Sequence, residues 1–374
     1  MDSERLARIQ RRFAEFGQEY AALPLYGAVA RAVAGDAEAA SLLLVARPGQ
    51  ARPVLWLAAL HDLVLRHPDL PAARWYASVV GREHLPAGDP WPEIRETVME
   101  HRVELTDLMA TRSTQTNEVN RSVYLAAGLA FAAADGPHRP DGPGPIALVE
   151  LGASAGLLLG VDRYDIELES DTGTTRLGRS GSPVRCRGLD RSRPALHGLT
   201  LPPVEGRAGV DLHPVRLDDA DAVRWLTACL WPDVPGRVER FVAARDLMVG
   251  DPPHVVEGDM LDVMPSAVSS ARAGSHPDAH VVVFSSWALT YVAPERRADL
   301  AAAIGLLSRE VAELSWLTAE PAGCAPGVEL SETGRVGAGG TVLGLRRWRS
   351  GRERPPVALG TCHPHGEWLD LHRA

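Results

Sequence analysis

The chain has 374 residues, of which 45% are hydrophobic and 23% charged, and a formal net charge of −9, values typical of a globular protein and unfavourable for nucleic-acid binding. The first residues, MDSERLARIQRRF, are too charged for a signal peptide. The sequence has no long apolar run and no C-x-x-C pair, so it predicts neither a membrane span nor a zinc ribbon. We therefore expect a cytoplasmic protein. All 39 basic residues are arginine, which excludes Schiff-base lysine catalysis and the usual P-loop.

The first third of the chain predicts helices only. Residues 3–22 carry apolar side chains at spacings of three and four, as an amphipathic helix does. Further helices are predicted at 25–34, 37–45, 54–66, 91–110 and 118–134. We therefore expect an all-helical N-terminal domain over residues 1–137, followed by the Pro/Gly-rich linker HRPDGPGP.

Polar residues crowd the entry to the last of these helices, in the stretch RSTQTNEVNRS. One interpretation is a helix cap, with Thr116 or Asn117 as the N-cap residue. The other is a substrate-binding cluster made by Gln115, Asn117, Glu118 and Arg121. Both can hold together.

The stretch IALVELGASAGLLL, from Ile146 to Leu159, is the centre of the second part. It predicts a buried strand, a turn of small residues and the start of an apolar helix. The small residues let a ligand approach the backbone closely. Glu150 lies near the end of the strand, where open α/β sheets bind ligands.

Three interpretations of this turn stay open. Gly152, Ser154 and Gly156 can form a relaxed G-x-G-x-G loop for a nucleotide, with Glu150 as a hydrogen-bond acceptor. GASAG also matches the G-x-S-x-G nucleophile elbow, with Ser154 as the nucleophile. Finally, small residues can simply allow a helix to pack closely on a strand.

The rest of the chain predicts an α/β domain over 145–374, interrupted by an insertion at about 165–205. In the insertion, YDIELES and SPVRCRG are predicted strands joined through Asp171-Thr172-Gly173. Apolar strands then alternate with helices, which indicates a mainly parallel sheet covered on both faces. The last two predicted strands form an antiparallel hairpin.

Acidic residues follow successive strands of this domain. Asp211 follows the second strand and suits a ribose diol, while Asp259 follows the third and suits an adenine amino group. Glu169 is the alternative ribose acid if YDIELES is the second strand. Ser285 follows the fourth strand and completes the predicted cofactor-binding set.

These stretches resemble the motifs of the class I methyltransferases: ELGASAG the first, GVDLHP the second, EGDMLD the third and VVVFSSWALTYV the fourth. The resemblance implies a Rossmann-like α/β fold and the cofactor S-adenosylmethionine. It implies methyl transfer to a small-molecule acceptor. In that fold Glu150 and the glycine loop bind the amino-acid end of the cofactor.

More narrowly, the chain is similar to an uncharacterised actinobacterial family of unknown function. The stretches that carry this similarity are QTNEVNR, ELGASAGLLL, GVDLHPV and CHPHGEW.

The catalytic residues are less clearly indicated. The fourth motif offers Trp287 as a substrate contact and Tyr291 as a catalytic candidate. His363 and His365 alternate along a predicted strand and would point to the same face. Either can deprotonate an acceptor, although packing is the commoner role and no metal site is predicted.

Two other functions remain open from the sequence. A serine hydrolase would use Ser154 with Asp262 or Glu320 and with His363 or His365, in the chain order of α/β-hydrolases. Alternatively, the protein is non-catalytic or regulatory and binds a nucleotide on the same fold.

Overall fold

The computed structural model describes residues 2–134, 138–139, 142–330 and 340–372. The chain divides into two compact units, the first made of Met1–Asn117 and Asp218–Phe241 and the second of Glu118–Leu217 and Val242–Ala374. The predicted boundary at residues 138–145 therefore lies within the second unit. The segment 218–241, predicted to belong to the α/β domain, is part of the first.

The α-helices are α1 Asp2–Glu19, α2 Pro24–Gly35, α3 Ala37–Ser41, α4 Pro53–Arg66, α5 Ala77–Val80, α6 Trp91–Glu100, α7 Arg102–Thr111, α8 Ser122–Ala133, α9 Ala220–Ala228, α10 Arg237–Met248, α11 Met260–Ala273 and α12 Pro294–Leu307. Short 3-10 segments include Val119–Arg121, Leu157–Arg163 and Leu289–Tyr291. Among the described residues before 135, none is in a strand, as the sequence predicts. The single helix predicted over 91–110 is wrong, because the chain breaks at His101 between α6 and α7.

The strands are β1 His138–Arg139, β2 Gly142–Pro143, β3 Ile146–Leu151, β4 Asp165–Ser170, β5 Gly173–Gly178, β6 Arg185–Asp190, β7 Val204–Asp211, β8 His254–Glu257, β9 His280–Ser286, β10 Glu313–Pro321, β11 Thr341–Arg349, β12 Arg352–Glu353, β13 Val357–Cys362 and β14 Trp368–Leu371.

Buried contacts explain why segment 218–241 belongs to the helical unit. The ring Nδ1 of His61 on α4 lies 3.1 Å from the carbonyl oxygen of Ala228. The indole Nε1 of Trp225 donates to the carbonyl of Ser113 at 2.9 Å. Burial lowers the pKa of His61 to about 4, so this contact is made by a neutral ring at physiological pH.

In its described residues, the second unit is built on a sheet of 12 strands. The order is β5-β4-β6-β14-β13-β11-β10-β9-β3-β7-β8, and β12 pairs with β11. The pairings among β8, β7, β3, β9 and β10 are all parallel. The pairings of β11 with β10 and with β13 are antiparallel, which confirms the predicted C-terminal hairpin. The unit is therefore a mixed α/β structure with a mostly parallel sheet.

Both faces of the central strands are covered. Every residue of β3 and of β9 is buried, which explains their continuous apolar sequences. On one face, side chains of α11 and α12 share a core cluster with these strands. Helix α8 is buried along its whole length, as expected for a helix that is apolar all round. A Cβ at Gly128 of α8 would lie 2.7 Å from Leu317, so this glycine permits close packing of α8 on β10.

The strands of the predicted insertion join the main sheet. Strands β4, β5 and β6 extend the sheet beyond β14, with β6 parallel to β14. The hairpin partner of β4 is β5, whereas β6, which contains most of SPVRCRG, runs parallel to β4. The chain crosses from β3 to this distant edge and returns to β7.

Among the described residues, no helix combines the length and apolar character needed to cross a membrane.

Candidate functional site

The candidate site lies at the carboxyl ends of β3, β9 and β10. Counted from β3, the five parallel strands have the spatial order third, second, first, fourth, fifth, so the order reverses between β3 and β9. Parallel α/β sheets bind ligands in the crevice at such a reversal. The strand ends here carry Glu150 on β3, Ser285 and Ser286 on β9, and Glu320 on β10.

A buried arginine is the positive charge of this cluster. Arg121 is 6% exposed. Its Nε donates to the carbonyl of Pro364 at 3.1 Å and its Nη1 to the carbonyl of Ser286 at 3.3 Å. The charge of Arg121 acts to lower the pKa of both Glu150 and Glu320. Sequence reasoning named Arg121 as a substrate ligand, and the structure brings it to the ends of these strands.

Glu150 is a buried carboxyl group with an unused acceptor. The residue is 4% exposed, and its Oε2 has no hydrogen-bond partner in the described part of the chain. Burial raises the pKa of Glu150 well above its usual range, and the charge of Asp211 adds to that rise, while Arg121 opposes it. A buried polar atom without a partner is costly, so a cationic or hydrogen-bond-donating ligand would be favoured here.

Glu320 is the second buried carboxyl group. Its Oε1 accepts the backbone N–H groups of Ala288 at 3.1 Å and Leu289 at 3.2 Å. Burial raises the pKa of Glu320 to about 7, although the two N–H groups, Ser285 and Arg121 all act to lower it. The sequence singled out Glu320 only as a hydrolase acid, since its backbone partners are distant along the chain.

The loop after β3 has the sharp geometry that its small residues predict. Gly152, Ser154 and Gly156 all have left-handed backbones, with φ of 79°, 52° and 71°. A Cβ at Gly152 would lie 2.7 Å from the Cβ of Ala288, and one at Gly156 would lie 2.6 Å from Pro253. These glycines therefore permit close packing of the loop. The predicted helix start is wrong, because residues 157–163 form a 3-10 segment.

Asp211 binds the backbone of this loop. One carboxylate oxygen accepts the N–H of Ser154 at 2.8 Å, and the other accepts the N–H of His213 at 2.9 Å. Since β7 is the strand beside β3, Asp211 occupies the position after the second parallel strand. The alternative acid, Glu169, lies on β4 on the other side of the sheet order and does not occupy that position.

Asp259 already has strong partners. It caps α11 by accepting the N–H of Leu261. Its two carboxylate oxygens also accept Arg296 at 2.8 and 3.0 Å, and this contact lowers the pKa of Asp259. A role in adenine recognition would have to compete with this ion pair.

The chain makes a tight turn at the end of β9, and we call this segment, Ser286–Leu289, the reversal. Trp287 is half-buried, and its Nε1 donates to Oγ1 of Thr341 at 2.8 Å. The hydroxyl of Ser286 lies 2.7 Å from that of buried Tyr124 on α8. Tyr291 follows in a 3-10 segment and is 79% exposed. Ser285 is fully buried behind the reversal.

Two of the stretches that carry the family similarity, QTNEVNR and CHPHGEW, are joined by hydrogen bonds. The side-chain nitrogen of Asn120, in QTNEVNR, donates to the carbonyl oxygens of Arg187, His365 and Gly366 at 3.0–3.3 Å. Arg121 binds the neighbouring carbonyl of Pro364. Asn120 was absent from the predicted site, since an asparagine that binds distant backbone leaves no local sequence pattern.

The predicted placement of the two histidines on a strand is wrong. β13 ends at Cys362, so His363 and His365 lie in the turn before β14. The N–H of His365 donates to Nδ1 of His363 at 3.2 Å, and Nε2 of His363 lies 3.7 Å from Glu367. No group of three or more His, Cys, Asp or Glu side chains is arranged to hold a metal ion in the described ranges.

The predicted substrate cluster is divided between the two units. Gln115 and Asn117 belong to the helical unit, and Glu118 and Arg121 belong to the sheet-containing unit. The cap role falls on Glu118, whose Oε1 accepts the N–H of Asn120 at 3.0 Å. Whether all four contact one substrate stays a prediction.

Gly366 lies in close contact with the backbone of Asn120, so we expect Gly366→Ala to be strongly destabilising. Its φ is 76°, and a Cβ there would overlap the carbonyl oxygen of Asn120. We expect a loss of about 3 kcal/mol or more in the free energy of unfolding, measured by chemical denaturation. Gly198→Ala is the control, since its φ is 74° but no atom of the described residues lies within 4 Å of the added Cβ. It should cost about 1–2 kcal/mol. Equal losses for the two variants would show that the overlap is relieved freely.

A protein-family profile described as "Uncharacterized protein conserved in bacteria (DUF2332)" matches residues 10–371. The chain therefore belongs to the DUF2332 family, which confirms the predicted similarity to an uncharacterised bacterial family. Comparison with curated proteins gives no match.

Proposed function

We propose that this member of the DUF2332 family binds S-adenosylmethionine and transfers its methyl group to a small-molecule acceptor. The observation that carries the proposal is Glu150, a buried carboxyl group at the end of β3 whose Oε2 has no hydrogen-bond partner among the described residues. It adjoins a glycine loop, at the reversal of strand order in a mostly parallel sheet. We expect the acceptor to be small and the protein to act in the cytoplasm without nucleic acid.

The fold supports this proposal. The parallel strands β8, β7, β3, β9 and β10 have the order 3-2-1-4-5 of a Rossmann-like doubly wound sheet. Antiparallel strands continue the sheet beyond β10, as the resemblance to class I methyltransferases implies. The 3-10 segment after the glycine loop departs from the expected helix. Because no helix begins in the described loop, we expect its backbone N–H groups to contribute less to cofactor binding than the side chains do.

The chemistry of the residues fits the cofactor. S-adenosylmethionine carries a cationic ammonium group, for which the unpartnered oxygen of Glu150 is a suitable acceptor. Each carboxylate oxygen of Asp211 accepts one N–H and retains a second lone pair for a ribose hydroxyl. Gly152, Ser154 and Gly156 would form the loop around the amino-acid end, with Ser285 behind it. When bound, the cofactor supplies an electrophilic methyl group.

The chain would contribute mainly orientation, because methyl transfer between two held reactants gains most from proximity. Glu150 and Asp211 would fix the cofactor, and Asp259 would reach the adenine only by sharing its partner Arg296. His363 or His365 would accept the proton of the acceptor nucleophile. Tyr291 remains the other catalytic candidate. Tyr291 is well exposed and open to a substrate.

The test is calorimetric titration with S-adenosylmethionine, S-adenosylhomocysteine, ATP and NAD. We expect micromolar binding of the first two ligands only. Glu150→Gln should weaken S-adenosylmethionine binding about tenfold or more, because it removes the counter-charge of the ammonium group. Glu310→Gln, an exposed change shortly before the amino end of β10, is the matched control. Binding of ATP or NAD alone would instead support a nucleotide-binding regulatory protein.

A serine hydrolase remains the second candidate because of one observation. Ser154 has a φ of 52°, and a strained backbone at the nucleophile is a property of the G-x-S-x-G elbow. A fluorophosphonate probe would label the protein and leave Ser154→Ala unlabelled if this candidate is correct. The methyltransferase proposal expects no labelling of either protein.

A further inference from the structure

Trp287, the first residue after β9, has an unusual backbone conformation. Its φ is 55°, a left-handed conformation that a bulky aromatic residue rarely adopts. Such a conformation is unfavourable and persists only where surrounding contacts impose it. Strained residues of this kind concentrate at functional sites.

Three elements supply the contacts that hold Trp287 in this conformation: β10, β11 and the 3-10 segment Val119–Arg121. The N–H of Trp287 donates to the carbonyl of Ala319 at 3.0 Å, and its indole donates to Thr341. Arg121 donates to the carbonyl of Ser286, on one side of Trp287. Glu320 accepts the N–H groups of the two residues on the other side.

The same reversal forms a wall against the glycine loop. The space for a Cβ at Gly152 is occupied by the side chain of Ala288, at 2.7 Å. Ala288 is one of the two residues whose N–H groups Glu320 holds. A movement of the reversal would therefore change the loop that we propose to bind the cofactor.

We propose that Glu320 is a positioning residue, which holds Trp287 and the wall of the cofactor crevice through the backbone N–H groups of Ala288 and Leu289. This inference rests on the proposed function for its effect on ligand binding. Its structural part stands on the contacts alone. Arg121 holds the other side of the reversal and acts with Glu320.

The role of Glu320 predicts a pH-dependent crevice. An ionised carboxylate accepts N–H groups more strongly than a protonated one, so the reversal should be held more firmly once Glu320 loses its proton. The titratable groups that face Glu320 from neighbouring elements are Arg121 in the 3-10 segment and Tyr124 on α8. Arginine side chains do not lose their proton in proteins, and burial raises the pKa of Tyr124 far above neutrality, so Glu320 is the member of this group that titrates near pH 7.

The experiment uses fluorine NMR of the full chain with its nine tryptophans replaced by 5-fluorotryptophan. Trp287→Phe assigns the Trp287 resonance. We expect this resonance to shift between pH 6 and 8 with a midpoint near 7 in the unsubstituted protein. In Glu320→Gln, which keeps an oxygen acceptor but cannot ionise, the pH-dependent shift should disappear.

A second variant keeps the inference testable if Glu320→Gln does not fold. Thr341→Val removes the indole acceptor and leaves Glu320 in place, so it should move the Trp287 resonance but retain its midpoint near pH 7. A Trp287 resonance that does not change between pH 6 and 8, or a pH-dependent shift that persists in Glu320→Gln, would overturn the inference.

Ligand binding separates this inference from the proposed function. Glu320→Ala should weaken S-adenosylmethionine binding at least tenfold, and Glu320→Gln should recover part of that loss. The affinity of Glu320→Gln should also vary less between pH 6 and 8 than that of the unsubstituted protein. If the unsubstituted protein binds no S-adenosylmethionine, the proposed function fails, while the fluorine shifts still decide the role of Glu320. Tight binding by Glu320→Ala with a displaced Trp287 resonance would refute the link between the reversal and the crevice.

Discussion

Replacing Arg121 by methionine is expected to cost about 3–5 kcal/mol of the free energy of unfolding, because it removes the cation from a buried cluster with two carboxyl groups. It also leaves the carbonyl groups of Ser286 and Pro364 without the donors that Arg121 provides. Chemical denaturation measures the loss. Hydrogen exchange of peptides from β3 and β9 assigns it to the sheet-containing unit.

The control for Arg121→Met is Arg191→Met, which removes an exposed arginine that lies over Trp368 at 4.7 Å in the same unit. It should cost no more than about 1 kcal/mol. The effect of Arg121→Met should be larger at pH 8 than at pH 6, since protonation relieves the uncompensated carboxylates. Similar small losses for both variants would mean that Arg121 does not balance the buried charge.

The second large effect is a pH-dependent difference in stability between Glu320→Gln and the unsubstituted protein. The folded-state pKa of Glu320 is raised to about 7 from an ordinary value of 4.5, so the folded state binds its proton more tightly than the unfolded chain. The stabilisation this provides is complete below pH 4.5 and is lost as the pH rises through 7. Glu320→Gln should therefore gain about 3 kcal/mol relative to the unsubstituted protein between pH 4.5 and 8.

The prediction concerns the difference in free energy of unfolding between the two proteins, because other buried groups change the stability in the opposite sense as the pH rises. Burial lowers the pKa of His61 and His280 to about 4, so their unfolded forms bind protons more tightly and stability rises with pH between about 4 and 6.5. These contributions are shared by both proteins and cancel. Urea denaturation at several pH values measures the difference, and a difference independent of pH would contradict a raised pKa for Glu320.

The sequence predicted the parts of the fold that depend on local pattern. Apolar strands such as β3 and β9 are continuous because both faces are buried, and amphipathic α1 follows a helical period. The same reasoning placed Glu150 near a strand end beside a glycine loop, as the structure has it, while its role as a ligand contact stays a prediction. The similarity to an uncharacterised family likewise rested on short local stretches.

The parts that the sequence could not predict depend on distant partners. Nothing near Asn120 indicates that its amide binds the turn at 363–366, and nothing near Glu320 indicates that it binds the backbone of Ala288. The sequence did not indicate that the insertion joins the main sheet, because its attachment depends on pairing between β6 and β14, which lie far apart in the chain. The histidine turn was placed on a strand because alternation over three residues does not distinguish a strand from a turn.

The central claim is that the crevice at the reversal of strand order holds S-adenosylmethionine against Glu150. The most direct measurement is a crystal structure of the protein grown with S-adenosylhomocysteine, which retains the ammonium group of the cofactor. The account predicts that this ammonium group lies within hydrogen-bond distance of Oε2 of Glu150, with the ribose hydroxyls at Asp211. Ligand bound elsewhere, or an empty crevice at saturating ligand in a well-ordered crystal, would contradict it.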